Sequence, residues 1–231
     1  MARVLWVTRT EPGASRTAEA LRRMGFDAIV EPLLAVRPLA DVRLDLARVG
    51  AIAFTSVNAV AVFTRLTSDR RLRVFAVGDA TADAARAAGF ASVTSAGGDA
   101  DALAATISSH RDEFAGAVLY PAPAETSQDL AGALRATRLE VRQVALYETL
   151  ANPPSKALLE RLGDLDGVVV HSARAAGLLS DVLKAHPAPR LVAFCLSPQV
   201  AAPLAGLGAQ VRTSAAPAEA ALLSLVGAAW R

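Results

Sequence analysis

The chain has 231 residues, enough for one large domain or two small ones. Its hydrophobic fraction of 53% can fill real cores, which excludes a disordered chain. The 24 basic and 22 acidic side chains nearly cancel, and no dense basic block carries interleaved aromatics, which argues against nucleic-acid binding.

In chain order, Arg3–Val7 reads as a strand with Thr8-Arg9-Thr10 as its exit turn. Pro12 suits a helix start, and Ala18, Leu21 and Met24 recur at helical spacing before a capping Gly25. Ala28–Glu31 is a second strand, and Pro32–Pro38 is extended and bracketed by prolines, a plausible linker. The pattern predicts a helix around Asp41–Arg48. Ala51–Phe54 is then a buried strand, Thr55-Ser56 a polar turn, and Val57, Val60, Ala61 and Phe63 the apolar face of a helix that Ser56 can cap. Arg73–Val77 is a strand, Gly78-Asp79-Ala80-Thr81 the next polar turn, and a helix follows to Gly89. Ser92–Thr94 is a strand, Asp99–Ser108 a helix, Ala117–Tyr120 a strand with a turn at Pro121–Ala124, and Thr126–Ala136 a helix. Val141–Leu146 is a strand running into Tyr147–Leu150, and Asn152-Pro153-Pro154 ends it. The last third gives a helix at Ser155–Leu162, a strand at Val168–His171, a helix to Lys184 and a strand at Leu191–Cys195. A helix from the Ser197-Pro198 turn to Leu207, a strand at Ala209–Arg212 and a helix at Ala218–Ala229 complete it. Strands alternating with helices mean parallel α/β sheets of the doubly wound Rossmann or flavodoxin-like kind.

The pattern occurs twice. Ala51–Val60 aligns with Gly167–Ala176, placing Ser56 on Ser172 and Asn58 on Arg174. Phe75–Ala82 aligns with Phe194–Ala201, Gly89 with Gly208, and Thr94-Ser95-Ala96 with Thr213-Ser214-Ala215. This is an internal duplication of a domain-sized unit. Each polar turn lies at the carboxyl end of a strand, where open α/β sheets bind ligands and where helix N-termini favour anions.

Other chemistries find little support. No Gly-rich phosphate loop is present. His110, His171 and His186 have no metal-ligand spacing, and no serine sits in a recognisable triad. Lys156 and Lys184 are the lysines, so arginine carries the positive charge, which suits forked recognition of carboxylates and phosphates. Cys195 is the single cysteine and reads as an inert core thiol, which fits a reducing cytosol. No apolar run of signal-peptide or membrane-spanning length appears, so a cytoplasmic protein without membrane partners is expected.

Four pieces in order carry a family resemblance: Leu5-Trp6-Val7-Thr8-Arg9, Phe54–Val60, Phe75–Ala82 and Tyr147-Glu148-Thr149. Together they resemble the uroporphyrinogen-III synthase family. The resemblance implies two α/β domains, Met1–Leu34 plus Leu150–Arg231 and Val36–Glu148. It implies connector strands at 32–38 and 146–152 that can hinge, and an active site in the cleft between the domains. The implied reaction closes hydroxymethylbilane to uroporphyrinogen III with inversion of ring D, with no cofactor and no metal. The implied partner is a linear tetrapyrrole bearing eight carboxylates, bound by a monomer. By resemblance Ser56, Thr81 and Tyr147 are the leading site residues, and Tyr147 is the expected catalytic one, since hydroxide must leave as water and a phenol can donate that proton. For binding the resemblance gives Thr8, Arg9, Thr55, Ser56, Asn58, Gly78, Thr81, Ser172 and Ser197. Two departures stand out: Pro121–Ala124 lacks basic or glycine character, and Val200 replaces the hydroxyl of its duplicate Thr81. A non-catalytic two-domain small-molecule binder remains an alternative, as does a transferase built from two Rossmann-like domains.

Overall fold

The computed structural model describes residues 2–126 and 129–230. Two positions of the expected Thr126–Ala136 helix, Ser127 and Gln128, lie outside the described residues. In chain order the elements begin β1 (Val4–Val7), α1 (Gly13–Arg23), β2 (Asp27–Val30), β3 (Leu34–Pro38), β4 (Val49–Phe54), α2 (Val57–Leu66), β5 (Arg73–Ala76) and α3 (Asp79–Ala87). They continue with β6 (Val93–Ser95), α4 (Ala100–Ser109), β7 (Ala117–Pro123), α5 (Leu130–Ala136) and β8 (Val141–Ala151). The last are α6 (Lys156–Glu160), β9 (Gly167–Val170), α7 (Ala173–Ala185), β10 (Val192–Cys195), α8 (Pro198–Ala201), β11 (Gln210–Thr213) and α9 (Glu219–Ala228).

The chain divides into two compact units, Met1–Ala35 with Leu150–Arg231, and Val36–Thr149. The first holds a sheet in the order β11-β10-β9-β1-β2. The second holds the order β6-β5-β4-β7-β8, with β3 added beside β8. Pairing within both runs is parallel, as their crossover helices require. Sliding β9 onto β4 carries β10 onto β5, β11 onto β6, β1 onto β7 and β2 onto β8. The two sheets are therefore one pattern, entered by the chain at different strands.

Alternate residues of each strand feed opposite faces, because successive side chains point to opposite sides. In the first unit Trp6, Val168, Val170, Ala193 and Cys195 pack with the buried face of α7. Leu5, Val7, Val169 and Phe194 pack with α1 and α9 on the other side. In the second unit Ile52, Phe54, Val74 and Leu119 pack under α2 and α3, and Ala51, Ala53, Phe75 and Val118 under α4 and α5. Both faces are covered, which explains the nearly continuous apolar strands.

Four expectations are corrected. Asp41–Arg48 is not a helix. Asp41 and Arg48 both have left-handed backbones, with φ of 57° and 56°, and Val42, Leu44 and Leu46 alternate onto the core of the second unit. That spacing is two, so it fits extended chain rather than helix. Pro121–Ala124 is not a turn; β7 continues to Pro123. Val118 donates to Glu140, just before β8, and Ala124 to Tyr147 within it, so the prolines between them face the β4 side, where pairing stops at Leu119. No ladder bond is lost there. The helix expected to reach Leu207 stops at Ala201 and tightens to a 3-10 turn through Leu204, since Pro203 offers no N–H to continue the ladder. The Ser155–Leu162 helix likewise shortens to α6, with a 3-10 turn at Leu162–Asp164.

Register between β4 and β7 shifts between Val49 and Ala51, making Gly50 the extra residue of a bulge. A Cβ on Gly50 would lie 2.2 Å from the Ala115 carbonyl oxygen. Gly50→Ala should therefore cost about 1–3 kcal/mol, as overpacking against rigid backbone does. Urea denaturation reads the cost, and an unshifted midpoint would show that the bulge can relax.

Candidate functional site

The carboxyl ends of the strands gather the polar turns of each unit. In the second unit they flank β4 and β7, the point where strand order reverses and where sheets of this kind leave a crevice. Ser56 caps α2, its Oγ accepting the Ala59 N–H at 3.0 Å. The same Oγ lies 2.9 Å from the Tyr147 hydroxyl, brought there by β8. Tyr147 is only 3% exposed and packs with the α2 and α3 side of the core, whereas Ser56 is half-buried. Burial pushes the phenol above its ordinary 10, and the Ser56 hydrogen bond offsets this only in part. The phenol is therefore protonated at neutral pH. Thr55 and Asn58 flank Ser56, both half-buried, and Asn58 is engaged with another group. Gly78 caps α3 without a side chain, and Thr81, 5% exposed, donates its N–H to the Gly78 carbonyl at 3.1 Å. Val200 is the third residue of α8, as Thr81 is of α3, and is equally buried.

In the first unit the reversal lies between β1 and β9. Thr8 is fully buried, and its hydroxyl donates to the Val169 carbonyl at 2.8 Å, tying the two strand ends together. Ser172 caps α7 through the Ala175 N–H at 3.2 Å, and Ser197 caps α8 through the Val200 N–H at 3.3 Å. Arg9 takes part in a cluster. Its Nη1 donates to Glu219 Oε2 at 2.9 Å, Thr17 Oγ1 donates to Oε1 at 2.6 Å, and His171 Nε2 lies 2.8 Å from Oε2. The structure thus brings Arg9 together with three residues that sequence reasoning did not place in a site: Thr17, His171 and Glu219. Only His171 carried a readable signal, as the duplicate of Thr55.

Burial pulls the His171 pKa below its ordinary 6.5 and, with the nearby Arg9 charge, outweighs the Glu219 hydrogen bond and charge, which push the other way. The unbound ring nitrogen explains the direction: Nδ1 is buried and has no partner among the described residues, so protonating it would bury an unpaired N–H. Neutral His171 donates from Nε2 to an ionised Glu219. Burial pushes the Glu219 carboxyl up, but the His171 contact, the Thr17 hydroxyl and the Arg9 charge outweigh it and hold it below its ordinary 4.5. Glu219 also opens α9, where the helix dipole favours a carboxylate.

Cys195 is buried, and its thiol is pushed up to about 12 by desolvation, so it is an unreactive core residue. Among the described residues no group of three or more His, Cys, Asp and Glu is arranged to hold a metal ion. None of the described helices is long and apolar enough to cross a membrane. A cavity of about 280 Å³ in the first unit, lined by Leu33, Leu159, Leu178, Val182 and His186, contains none of these turns.

Two doubly wound parallel α/β units, each with its polar turns at the carboxyl edge of the sheet, define the architectural class. The sequence profile described as "Uroporphyrinogen-III synthase HemD" matches residues 15–224. The chain belongs to that family. Its fold is shared by uroporphyrinogen-III synthetase from Helicobacter pylori, with a TM-score of 0.67 at 18% identity over 98% of both chains. A mutant uroporphyrinogen III synthase from the extremely thermophilic bacterium Thermus thermophilus gives a TM-score of 0.54 at 17% identity, covering 99% of this chain and 97% of that one. Comparison with curated proteins gave no match.

Two outcomes follow for the site. Ser56→Ala removes a helix cap and should cost about 1 kcal/mol in a urea titration; no loss would mean that the Ala59 N–H finds another acceptor. Acidification should weaken the fold in two stages. Below about pH 6.5 the unfolded chain takes up the His171 proton that the folded state resists. Through pH 4.5 and below, the unfolded chain also protonates Glu219 first. In both stages the unfolded state binds more protons, so stability falls as pH falls. His171→Gln should abolish the decline between pH 7 and 5.5, and a decline of full size in that variant would refute the assignment.

Proposed function

We propose that this protein is a cyclising hydro-lyase of tetrapyrrole biosynthesis, converting hydroxymethylbilane to uroporphyrinogen III. The observation that carries this reading is the family match over residues 15–224. The protein is read as a cytoplasmic monomer, with the linear tetrapyrrole and its eight carboxylates as its ligand. Helix N-termini at strand ends suit so anionic a substrate. In the first step the hydroxymethyl C–O bond breaks, pushed by the pyrrole nitrogen lone pair, and hydroxide leaves as water. The electron-poor azafulvene is attacked by the ring D carbon that already carries the bridge. The resulting spiro intermediate fragments and recloses with ring D turned over. The enzyme's main task is to hold a flexible chain in a reactive shape.

Tyr147 is the proton source in this reading, and its burial gives Ser56 a part. The Ser56 hydroxyl hands its proton to the departing hydroxide and takes one from Tyr147, 2.9 Å away. The proton released when the ring becomes aromatic restores the phenol. Thr8, Arg9, Thr55, Asn58, Gly78, Thr81, Ser172 and Ser197 are read as binding residues. Thr8 is fully buried, with its hydroxyl and N–H both on the Val169 carbonyl and its own carbonyl accepting the Leu33 N–H, so in this reading it serves binding by holding the turn that carries Arg9.

The decisive experiment supplies purified protein with fresh hydroxymethylbilane and resolves the isomers. Type III product is expected. The unrearranged type I ring alone, at the uncatalysed rate, would favour a non-catalytic binder. Tyr147→Phe keeps the ring and removes the donor, so turnover should fall at least about tenfold, just below the range of a positioned general acid. Ser56→Ala in that background should add little, because both groups serve one proton path. Unchanged turnover in Tyr147→Phe would make the tyrosine a packing residue.

A further inference from the structure

The Arg9 cluster has the form of a carboxylate receptor that already holds a carboxylate. Three donors from three places converge on Glu219: Arg9 from the turn after β1, Thr17 from α1 and His171 from the end of β9. Between them they fill three of the roughly four lone-pair sites a carboxylate offers. The guest comes from elsewhere, the first residue of α9. The donors' own elements belong to the β1–β9 strand pair and the helix beside it, so their placement does not need Glu219.

The receptor is shaped for its guanidinium. A Cβ on Gly13 would lie 2.5 Å from Arg9 Nε and 2.7 Å from Cζ, so the planar group lies against a bare backbone. It is also within reach of solvent. The Arg9 side chain is 31% exposed and that of Glu219 37%, while His171 is 9% exposed and forms the floor.

We propose that Arg9, Thr17 and His171 form a binding site for one carboxylate of the substrate, and that Glu219 occupies it until the substrate displaces it. This rests on the reading of the substrate as a polycarboxylate. Exchange of one carboxylate for another keeps the same donors and the same net charge, so neither arrangement leaves an unpaired buried group. It also keeps His171 neutral, since Nε2 donates in both states. A ligand with eight carboxylates, anchored elsewhere, presents the incoming group at high effective concentration. The displaced Glu219 passes to solvent at the start of its helix, where its charge is tolerated. Glu219 therefore competes with the substrate, moderating its affinity and aiding release of a product with equally many carboxylates.

The test uses uroporphyrin III, a stable octacarboxylate whose own fluorescence reports binding, together with the type III assay. Glu219→Gln removes the competing charge and should tighten uroporphyrin binding about two- to fivefold at low ionic strength, the scale of a partly exposed ion pair. The gain should shrink in about 1 M salt. Adding Arg9→Gln to Glu219→Gln should abolish it. Glu219→Asp keeps the charge but shortens the reach, so its affinity should fall between wild type and Glu219→Gln; it serves if the amide variant folds poorly. Affinity unchanged or weakened in both Glu219 variants would overturn the proposal and leave Glu219 a clamp of the fold. If no type III product forms yet Glu219→Gln tightens uroporphyrin binding, the receptor stands and the reaction assignment fails.

Discussion

A parallel strand cannot be joined to its neighbour by a tight turn; the chain must cross over, here through a helix that begins where the strand ends. The placement of the polar turns follows from that constraint. It puts the N-termini of α2, α3, α7 and α8, whose first N–H groups have no partner in the regular helical ladder, at the carboxyl edge of each sheet. It also buries the strands on both faces, so polar side chains concentrate at their ends. Thr8, Thr55, His171 and Ser197 sit one or two residues past a strand for that reason.

The same constraint explains how one pattern can be entered at two points. In the second unit the chain starts at β4, beside the reversal, and winds outward to β6 before returning to β7 and β8. In the first it starts at β1, on the other side of the reversal, and supplies β9 to β11 only after residue 166. The resulting arrangements are the two common doubly wound orders, one Rossmann-like and one flavodoxin-like. They are the same neighbours read from different starting strands. The change of unit falls inside β3 and again inside β8, so no separate linker is needed.

What the sequence makes legible depends on how local the cause is. The Ser56, Ser172 and Ser197 caps each follow from a serine three residues before the N–H it accepts, and each forms. The Ser56–Ser172 alignment announces the repeated sheet. Causes that act across the chain stay hidden. Glu219 is 210 residues from Arg9 and 48 from His171, and nothing local marks it as their partner. The Asp41–Arg48 stretch misleads because its apolar residues serve a neighbouring core while left-handed residues bound it. Pro121 and Pro123 look like a turn because proline usually ends a strand; only the end of the neighbouring strand's pairing makes them harmless.

The two carboxyl edges also show how duplicate copies come to differ. Where one has Thr55 the other has His171, and where one has Asn58 the other has Arg174. The second unit's edge carries a pair of hydroxyls and the first unit's a charged cluster. Burying Tyr147 penalises its phenolate and moves the phenol above its ordinary 10. The same burial leaves the half-buried Ser56 hydroxyl as the more exposed member of the pair. The first unit's edge keeps its charge instead. Arg9 and Glu219 pair there, and both remain partly open to water. Each edge thus solves the cost of burying a polar group in its own way, the one by neutrality and the other by pairing.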